Sequence, residues 1–245
     1  TPLQIWIKDM KSKKVIVALD SSNFNKTVSL VKILKNEVYA FKIGYQFFFN
    51  YGLNGYKKIH DICPRIFLDL KLHDIPNTVK KGIQAIIKIK PLLTTIHISG
   101  GDEMMQSSKI KGARTKILGV SILTSLDKKQ TRKYYNESKL FLLVKKFAKE
   151  AKKNNLDGVV CSPNEIKFIR KEVGKNFIIV TPGIRINNKI KSDDQKRTAT
   201  PEKAINLGAN FIVIGRPITE SKDPLKILKE INKTIATKCL PKFVE

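Results

Sequence analysis

A single-domain α/β protein of the (β/α)8, or TIM, barrel class is what this sequence predicts, on three observations. Eight short β-rich apolar runs are spread through its 245 residues, helical patterns fill most of the gaps between them, and no linker or low-complexity tract divides the chain. Alternating strands and helices imply parallel strands covered by helices, and eight such units in about 250 residues is the count of this barrel. The domain is expected to run as one unit over residues 1–245.

The eight runs are 15–19, 39–43, 66–70, 94–98, 117–122, 158–161, 177–180 and 211–214. Between the fifth and sixth, residues 138–153 place Leu140, Leu143, Val144, Phe147, Ala148 and Ala151 on one stripe at helical spacing. After the eighth, Asp223 is placed to cap a helix whose first residue is Pro224, where a missing N–H costs nothing.

Active sites of such barrels lie at the carboxyl ends of the strands, so those ends can be inspected one by one. The first run ends in Asp20, and the second carries Lys42 near its end. The fifth leads into Leu123-Thr124-Ser125, the seventh into Thr181-Pro182-Gly183-Ile184-Arg185, and the eighth into Gly215-Arg216-Pro217. The third is the most informative: Ile66-Phe67-Leu68-Asp69-Leu70-Lys71-Leu72-His73-Asp74-Ile75-Pro76-Asn77-Thr78. Side chains alternate along a strand, so Phe67, Asp69 and Lys71 share one face and the leucines the other. Burying ionised groups costs several kcal/mol each unless they are paired. A carboxylate and an ammonium side by side in a buried strand, with Asp74 just beyond, therefore point to chemistry more than to packing.

The seventh and eighth strand ends predict a second, separable site for phosphate. Loops at these positions frequently bind it through backbone N–H groups. Gly183 and Gly215 allow close approach, and Arg216 adds a two-pronged, charge-assisted contact. The polar loop 186–199, with Asp193-Asp194-Gln195-Lys196-Arg197, is a lid over that phosphate or, more plainly, a solvated surface loop.

Bulk composition narrows the classes further. The net charge of +26 favours anionic metabolites, but only seven of the 47 basic residues are arginine, and the lysines are scattered over the whole chain. A specific nucleic-acid binder would concentrate them and interleave aromatics, so none is expected. Cys63, Cys161 and Cys239 are an odd number at wide spacing and suit neither a zinc cluster nor a disulfide framework. Residues 1–14 lack the apolar run of a signal peptide, and no segment approaches the roughly 20 apolar residues of a membrane span. A cytoplasmic location, with no membrane partner, is the expectation. His60, His73 and His97 show no shared spacing, and no metal is assigned to them.

From about Val15 to Leu228 the chain resembles the orotidine 5'-phosphate decarboxylases in their free-standing bacterial form. The resemblance rests on Ala18-Leu19-Asp20, Phe41-Lys42-Ile43-Gly44, the run from Asp69 to Thr78, Leu123-Thr124-Ser125, Thr181-Pro182-Gly183-Ile184-Arg185, Asp194-Gln195 and Ile214-Gly215-Arg216-Pro217. It implies decarboxylation of orotidine 5'-phosphate (OMP) to UMP and CO2, with no metal or cofactor. It implies that Lys71 protonates C6, that Asp69 sits by the departing carboxylate, and that Lys42 and Asp74 complete an alternating charge network and hold ribose hydroxyls. Asp20 is expected on a sugar hydroxyl, Thr124 at the pyrimidine edge, and Gln195 bridging lid, base and phosphate. Gly215 and Arg216 are expected on the phosphate, with Arg185 contacting it or bracing the lid. The resemblance further implies a homodimer in which Asp74 and the residues just after it, including Thr78, reach the ribose of the neighbouring subunit. Related sugar-phosphate decarboxylases and aldolases share the Asp-x-Lys-x-x-Asp element and depend on Mg2+, but lack the Ile75-Pro76-Asn77 continuation.

Overall fold

The computed structural model describes residues 13–186 and 198–238. Its strands are β1 (Val15–Ala18), β2 (Ala40–Ile43), β3 (Ile66–Leu72), β4 (Leu93–His97), β5 (Lys116–Val120), β6 (Gly158–Val160), β7 (Ile178–Thr181) and β8 (Phe211–Ile214). They follow one another in chain order as a closed barrel. Every neighbouring pair is parallel, and β8 returns to β1 with Val15 opposite Ile212 and Val17 opposite Ile214. The (β/α)8 class expected from the sequence is the observed fold, and each expected run holds a strand whose ends differ by at most two residues.

Alternation along the strands divides the apolar residues into two cores. Ile16, Ala18, Ala40, Phe67, Leu93, Leu118, Val180 and Val213 fill the barrel interior. Val15, Val17, Leu19, Phe41, Ile43, Ile66 and Leu68 point outward and pack against the surrounding helices. This parity positions the chemistry. Asp20 lies two residues beyond Ala18, Lys42 two beyond Ala40, and Asp69 two beyond Phe67, so the interior face of three adjacent strands turns from apolar to charged at its carboxyl end.

Local signals set the helices. α1 (Phe24–Leu34) starts at Asn23, whose side chain accepts the Lys26 N–H at 2.9 Å. α2 (Tyr45–Ile62) bends at Gly52, where φ is +53°, a value glycine takes without a Cβ penalty. α3 (Pro76–Lys88) begins on a proline. α4 (Asp102–Ser108) and α5 (Lys128–Tyr135) follow, the latter closed by a capping box between Asp127 and Gln130. α6 (Leu140–Lys153) is the stripe expected over 138–153, and it buries Leu143, Val144, Ala148 and Ala151. α7 (Ile166–Val173), α8 (Pro201–Asn206), a short α9 (Arg216–Thr219) and α10 (Pro224–Lys238) complete the ring, with Asp223 accepting the Lys226 N–H at 3.0 Å. Among the described residues, no helix is long and apolar enough to cross a membrane.

Candidate active site

A cavity of about 630 Å³ opens at the carboxyl ends of the strands. Its floor is the interior core, represented by Ala18, Phe67 and Val213, and its walls carry Asp20, Lys42, Asp69, Lys71, Thr124, Arg185, Gly215 and Arg216. On one side, four charged groups form an alternating chain. Lys42 Nζ lies 3.3 Å from Asp20 Oδ1 and 3.8 Å from Asp69 Oδ2, and Lys71 Nζ lies 2.8 Å from that same Asp69 oxygen.

Asp69 is the centre of this chain and is only 7% exposed. Burial pushes its carboxyl upward, but the charges of Lys42 and Lys71, with hydrogen bonds from Lys71 and Thr95, outweigh that and hold it below the ordinary carboxylate range. The anion is therefore the state the site is built around. Close packing of these charges constrains the backbone too. A Cβ added at Gly44 would stand 2.9 Å from Lys42 Nζ and 3.1 Å from Asp20 Oδ1, so a side chain here would push on the Lys42–Asp20 pair.

β3 reaches its site by an irregular path. The pairing of β3 with β4 slips between Leu68 and Leu72, and Lys71 has φ +43°, a left-handed value that a non-glycine residue rarely takes. Side-chain alternation survives this kink: Leu70 and Leu72 pack on the outer core while Asp69 and Lys71 line the cavity. Tyr45 braces the turn, its hydroxyl donating to the Leu70 carbonyl at 3.0 Å and its ring lying 5.9 Å from Lys71 Nζ.

The other side of the cavity is built by the ends of β7 and β8, which follow round the barrel from β1. Gly183 has φ +79°, the conformation that favours glycine. Gly215 has a negative φ, and it caps α9 as its carbonyl accepts the Ile218 and Thr219 N–H groups. Burial holds the Arg185 guanidinium below its usual value, and the nearby Arg216 charge adds to this. Two guanidinium groups close enough to repel, on the wall of one cavity, make a site suited to an anion.

Asp20, Lys42, Asp69, Lys71, Thr124, Arg185, Gly215 and Arg216 thus come together as the sequence led us to expect. Asp74 and Thr78 do not line this chain's cavity; both are exposed. Asp74 Oδ1 accepts the Ile75 N–H at 2.7 Å, and α3 starts at Pro76 without a side-chain cap, so Asp74 does not cap that helix. Gln195 and the segment Asp193 to Arg197 lie outside the described residues.

Two contributors, Tyr45 and Thr95, escaped the sequence reading, and His97 was weighed there only as a metal ligand. Tyr45 was hidden in an apolar run. Thr95, wholly buried on β4, bonds both Asp69 and Lys71, and its one signal was a pair of adjacent threonines in an apolar strand. His97 stacks on His73 with ring centroids 5.1 Å apart. Burial, then the facing His73 and Lys71, lowers its pKa to about 4, so it is neutral at pH 7. His60 is elsewhere, stacked on Tyr56. Among the described residues, no three His, Cys, Asp or Glu side chains converge as a metal site, and Cys63 and Cys161 are buried in the core outside any disulfide.

A (β/α)8 barrel whose strand-end cavity sets a buried carboxylate between two lysines and also holds two arginines is the class that fold and site define. The orotidine 5'-phosphate decarboxylase / HUMPS family model matches residues 13–231, and the chain belongs to that family. It is 42% identical over 224 residues to an orotidine 5'-phosphate decarboxylase of Wolbachia sp. subsp. Brugia malayi, covering 91% of this chain and 99% of that one. It is 42% identical over 237 residues to the corresponding protein of Ehrlichia chaffeensis, with 94% and 100% covered. Among solved structures, orotidine 5'-phosphate decarboxylase from Lactobacillus acidophilus superposes with a TM-score of 0.77 at 36% identity, covering 91% of this chain and 99% of that one.

Proposed function

We propose that this chain decarboxylates orotidine 5'-phosphate to UMP and CO2 in pyrimidine biosynthesis, without a cofactor, and that Lys71 protonates C6. The observation that carries the proposal is the buried Asp69 carboxylate between Lys71 at 2.8 Å and Lys42 at 3.8 Å, in one cavity with Arg185 and Arg216.

The reaction asks for such an array. When the C6–carboxylate bond breaks, its electron pair stays on C6 in the plane of the ring, where the π-system cannot absorb it. Fixed charge already in place must stabilise it. Lys71 supplies an ammonium for the developing carbanion and then transfers a proton to C6. Asp69 faces the carboxylate that leaves as neutral CO2, and it holds Lys71 by a charge-assisted hydrogen bond. Two unit charges about 4 Å apart interact by roughly 4 kcal/mol at an effective dielectric near 20. A few terms of that size that differ between ground and transition state amount to several powers of ten in rate.

The remaining groups bind. Lys42 and Asp20 hold ribose hydroxyls, Thr124 meets the pyrimidine edge, and Gly215, Arg185 and Arg216 take the phosphate, with Gln195 bridging base and phosphate from the lid. Asp74 and Thr78 act in trans. The surface also exposes large apolar side chains: Ile75, next to Asp74, is 67% exposed, and Tyr45 and Phe49, one turn apart on α2 before its bend at Gly52, are 50% and 76% exposed. A second copy of the chain covers this surface and receives Asp74 and Thr78 at its ribose site. The setting is the cytoplasm, where the thiols of Cys63 and Cys161 stay reduced.

Purified protein given OMP in excess EDTA is the test. UMP should form at the same rate with and without the chelator. Loss of turnover in EDTA would favour a Mg2+-dependent sugar-phosphate lyase, and no turnover in either condition would overturn the proposal.

A further inference from the structure

We infer that Thr95 is a positioning residue for this reaction: one buried hydroxyl on β4 fixes the Asp69 carboxylate and the Lys71 backbone relative to each other. The inference rests on the assignment of Asp69 and Lys71 to the chemistry proposed above. Thr95 is 0% exposed. Its Oγ1 accepts the Lys71 N–H at 2.9 Å and lies 2.9 Å from Asp69 Oδ1.

These two bonds determine each other. A hydroxyl has one proton, and the carboxylate can only accept, so that proton must point at Asp69 while a lone pair receives the Lys71 N–H. Oδ1 is thereby committed to Thr95, which leaves Oδ2 for the two ammonium groups of Lys71 and Lys42. The carboxylate cannot rotate without breaking bonds on both of its oxygens. On the backbone side, the ladder between β3 and β4 is irregular here, and Lys71 sits at φ +43°. An N–H at such a kink, withdrawn from the ladder and partly buried, needs an acceptor, and the Thr95 side chain takes that part. The same atom thus holds the strained residue that carries the ammonium and the anion that orients it.

Thr94 is the built-in control. It is also 0% exposed, but its Oγ1 donates at 2.9 Å to the Leu68 carbonyl, a bond that touches neither charged group. Two adjacent buried threonine hydroxyls on one strand therefore differ in what they hold. Asp69 is faced by Lys42 from β2, by Lys71 on its own strand, by Tyr45 at the start of α2, and by His97 on β4 with His73 behind it. Thr95 is the partner in this group that carries no charge at any pH. Its removal therefore alters the proton affinity of Asp69 without deleting a charge.

The experiment compares Thr95→Val, Thr95→Ser and Thr94→Val with the parent in kcat, KM and the pH dependence of kcat/KM for OMP. Asp69→Asn and Lys71→Ala serve as references. Thr95→Val should lower kcat by about tenfold to a hundredfold, the range for a lost hydrogen bond to a charged group, with little change in KM. It should also move the acid limb of the profile to higher pH, because the Asp69 anion loses a donor. Thr95→Ser should restore most of the rate and the original limb, and Thr94→Val should lower the melting temperature with neither kinetic change. If Thr95→Val does not fold, Thr95→Cys against Thr95→Ser asks the same question, since a thiol is a weak donor, and the Cys variant should show the kcat loss. Equal kinetics for the position 94 and 95 variants, or an unmoved acid limb, would overturn the inference. If Asp69→Asn and Lys71→Ala themselves keep turnover, it is the underlying assignment that fails.

Discussion

At the amino end of the barrel Arg65 and Arg170 bond mainly backbone carbonyls and Asp157 joins two lysines to a backbone N–H, whereas at the carboxyl end Asp20, Lys42, Asp69 and Lys71 line a cavity and partner chiefly one another. Arg65 donates to the carbonyls of Tyr39 at 2.8 Å and Lys35 at 2.6 Å. Asp157 takes the Ile117 N–H at 2.9 Å with Lys109 and Lys116 at 2.8 and 3.0 Å. Arg170 reaches the Gly174, Phe177 and Gly208 carbonyls and the Asn210 side chain, so one guanidinium ties together the loops that enter β7 and β8. Such charges are spent on the fold. Those at the other end line the cavity, where a ligand can reach them. Charge count does not separate structure from chemistry here; access to the cavity does.

The comparison breaks if either end can do the other's work. Lys71→Ala should reduce kcat for OMP by at least about a thousandfold, since it removes both the proton donor and a fixed charge. Arg170→Ala should leave kcat of the folded protein within about twofold and cost about 1–3 kcal/mol of stability, because the partly buried carbonyls of Phe177 and Gly208 lose their donor. Steady-state rates beside denaturant melts of the two variants measure this directly. A crossed result, with Arg170→Ala inactive though folded, would abolish the distinction.

Within the carboxyl end, a smaller effect separates binding from chemistry. Arg216→Ala should lower kcat/KM for OMP by about a hundredfold, the order expected for charge-assisted contacts to phosphate, while costing orotidine without its phosphate much less. Comparable losses on both substrates would mean that Arg216 supports the fold. Smaller again is the expected recovery in a mixture. Lys71→Ala and Asp74→Ala proteins, each inactive alone, should regain up to about a quarter of the parent activity once subunits exchange, because random pairing makes half the dimers mixed and each mixed dimer holds one intact site. Verified exchange without activity would return Asp74 to its own subunit.

Much of the fold and part of the site were legible in the sequence, for a physical reason. A barrel strand must be apolar on both faces, so a charge near its carboxyl end stands out against the background. That is how Lys42, Asp69 and Lys71 were found. Thr95 was not found, because a threonine suits a strand in its own right and its two partners lie on the neighbouring strand. Tyr45 looked like one more aromatic at a helix start. The left-handed turn at Lys71 left no mark either, since lysine gives no hint of a positive φ where a glycine would have. Periodicity reports which face a residue is on, and it is silent about a hydroxyl shared by two charges across a ladder.

The smallest effect contrasts the two ends through pH. His97, at the carboxyl end, has its pKa lowered from 6.5 to about 4, first by burial and then by His73 and Lys71. Between those values the unfolded chain binds a proton that the native protein refuses, so the His97 contribution lowers stability as pH drops from about 6.5 to about 4 and is level above that window. Asp157, at the amino end, is pushed up by burial but brought below 3.8 by hydrogen bonds from Lys109, Ile117 and Lys116. Its contribution is complete above 3.8 and is lost only as pH falls further, through its folded value. The windows adjoin without overlapping, although Asp69, also lowered, shares the more acid one. His97→Gln should therefore flatten the stability profile between about pH 6.5 and 4 and leave the acid limb in place, and Asp157→Asn should do the reverse. Urea melts at half-unit pH steps resolve the two. A His97→Gln profile that kept the parent slope above pH 4 would show that His97 does not carry the titration at that end.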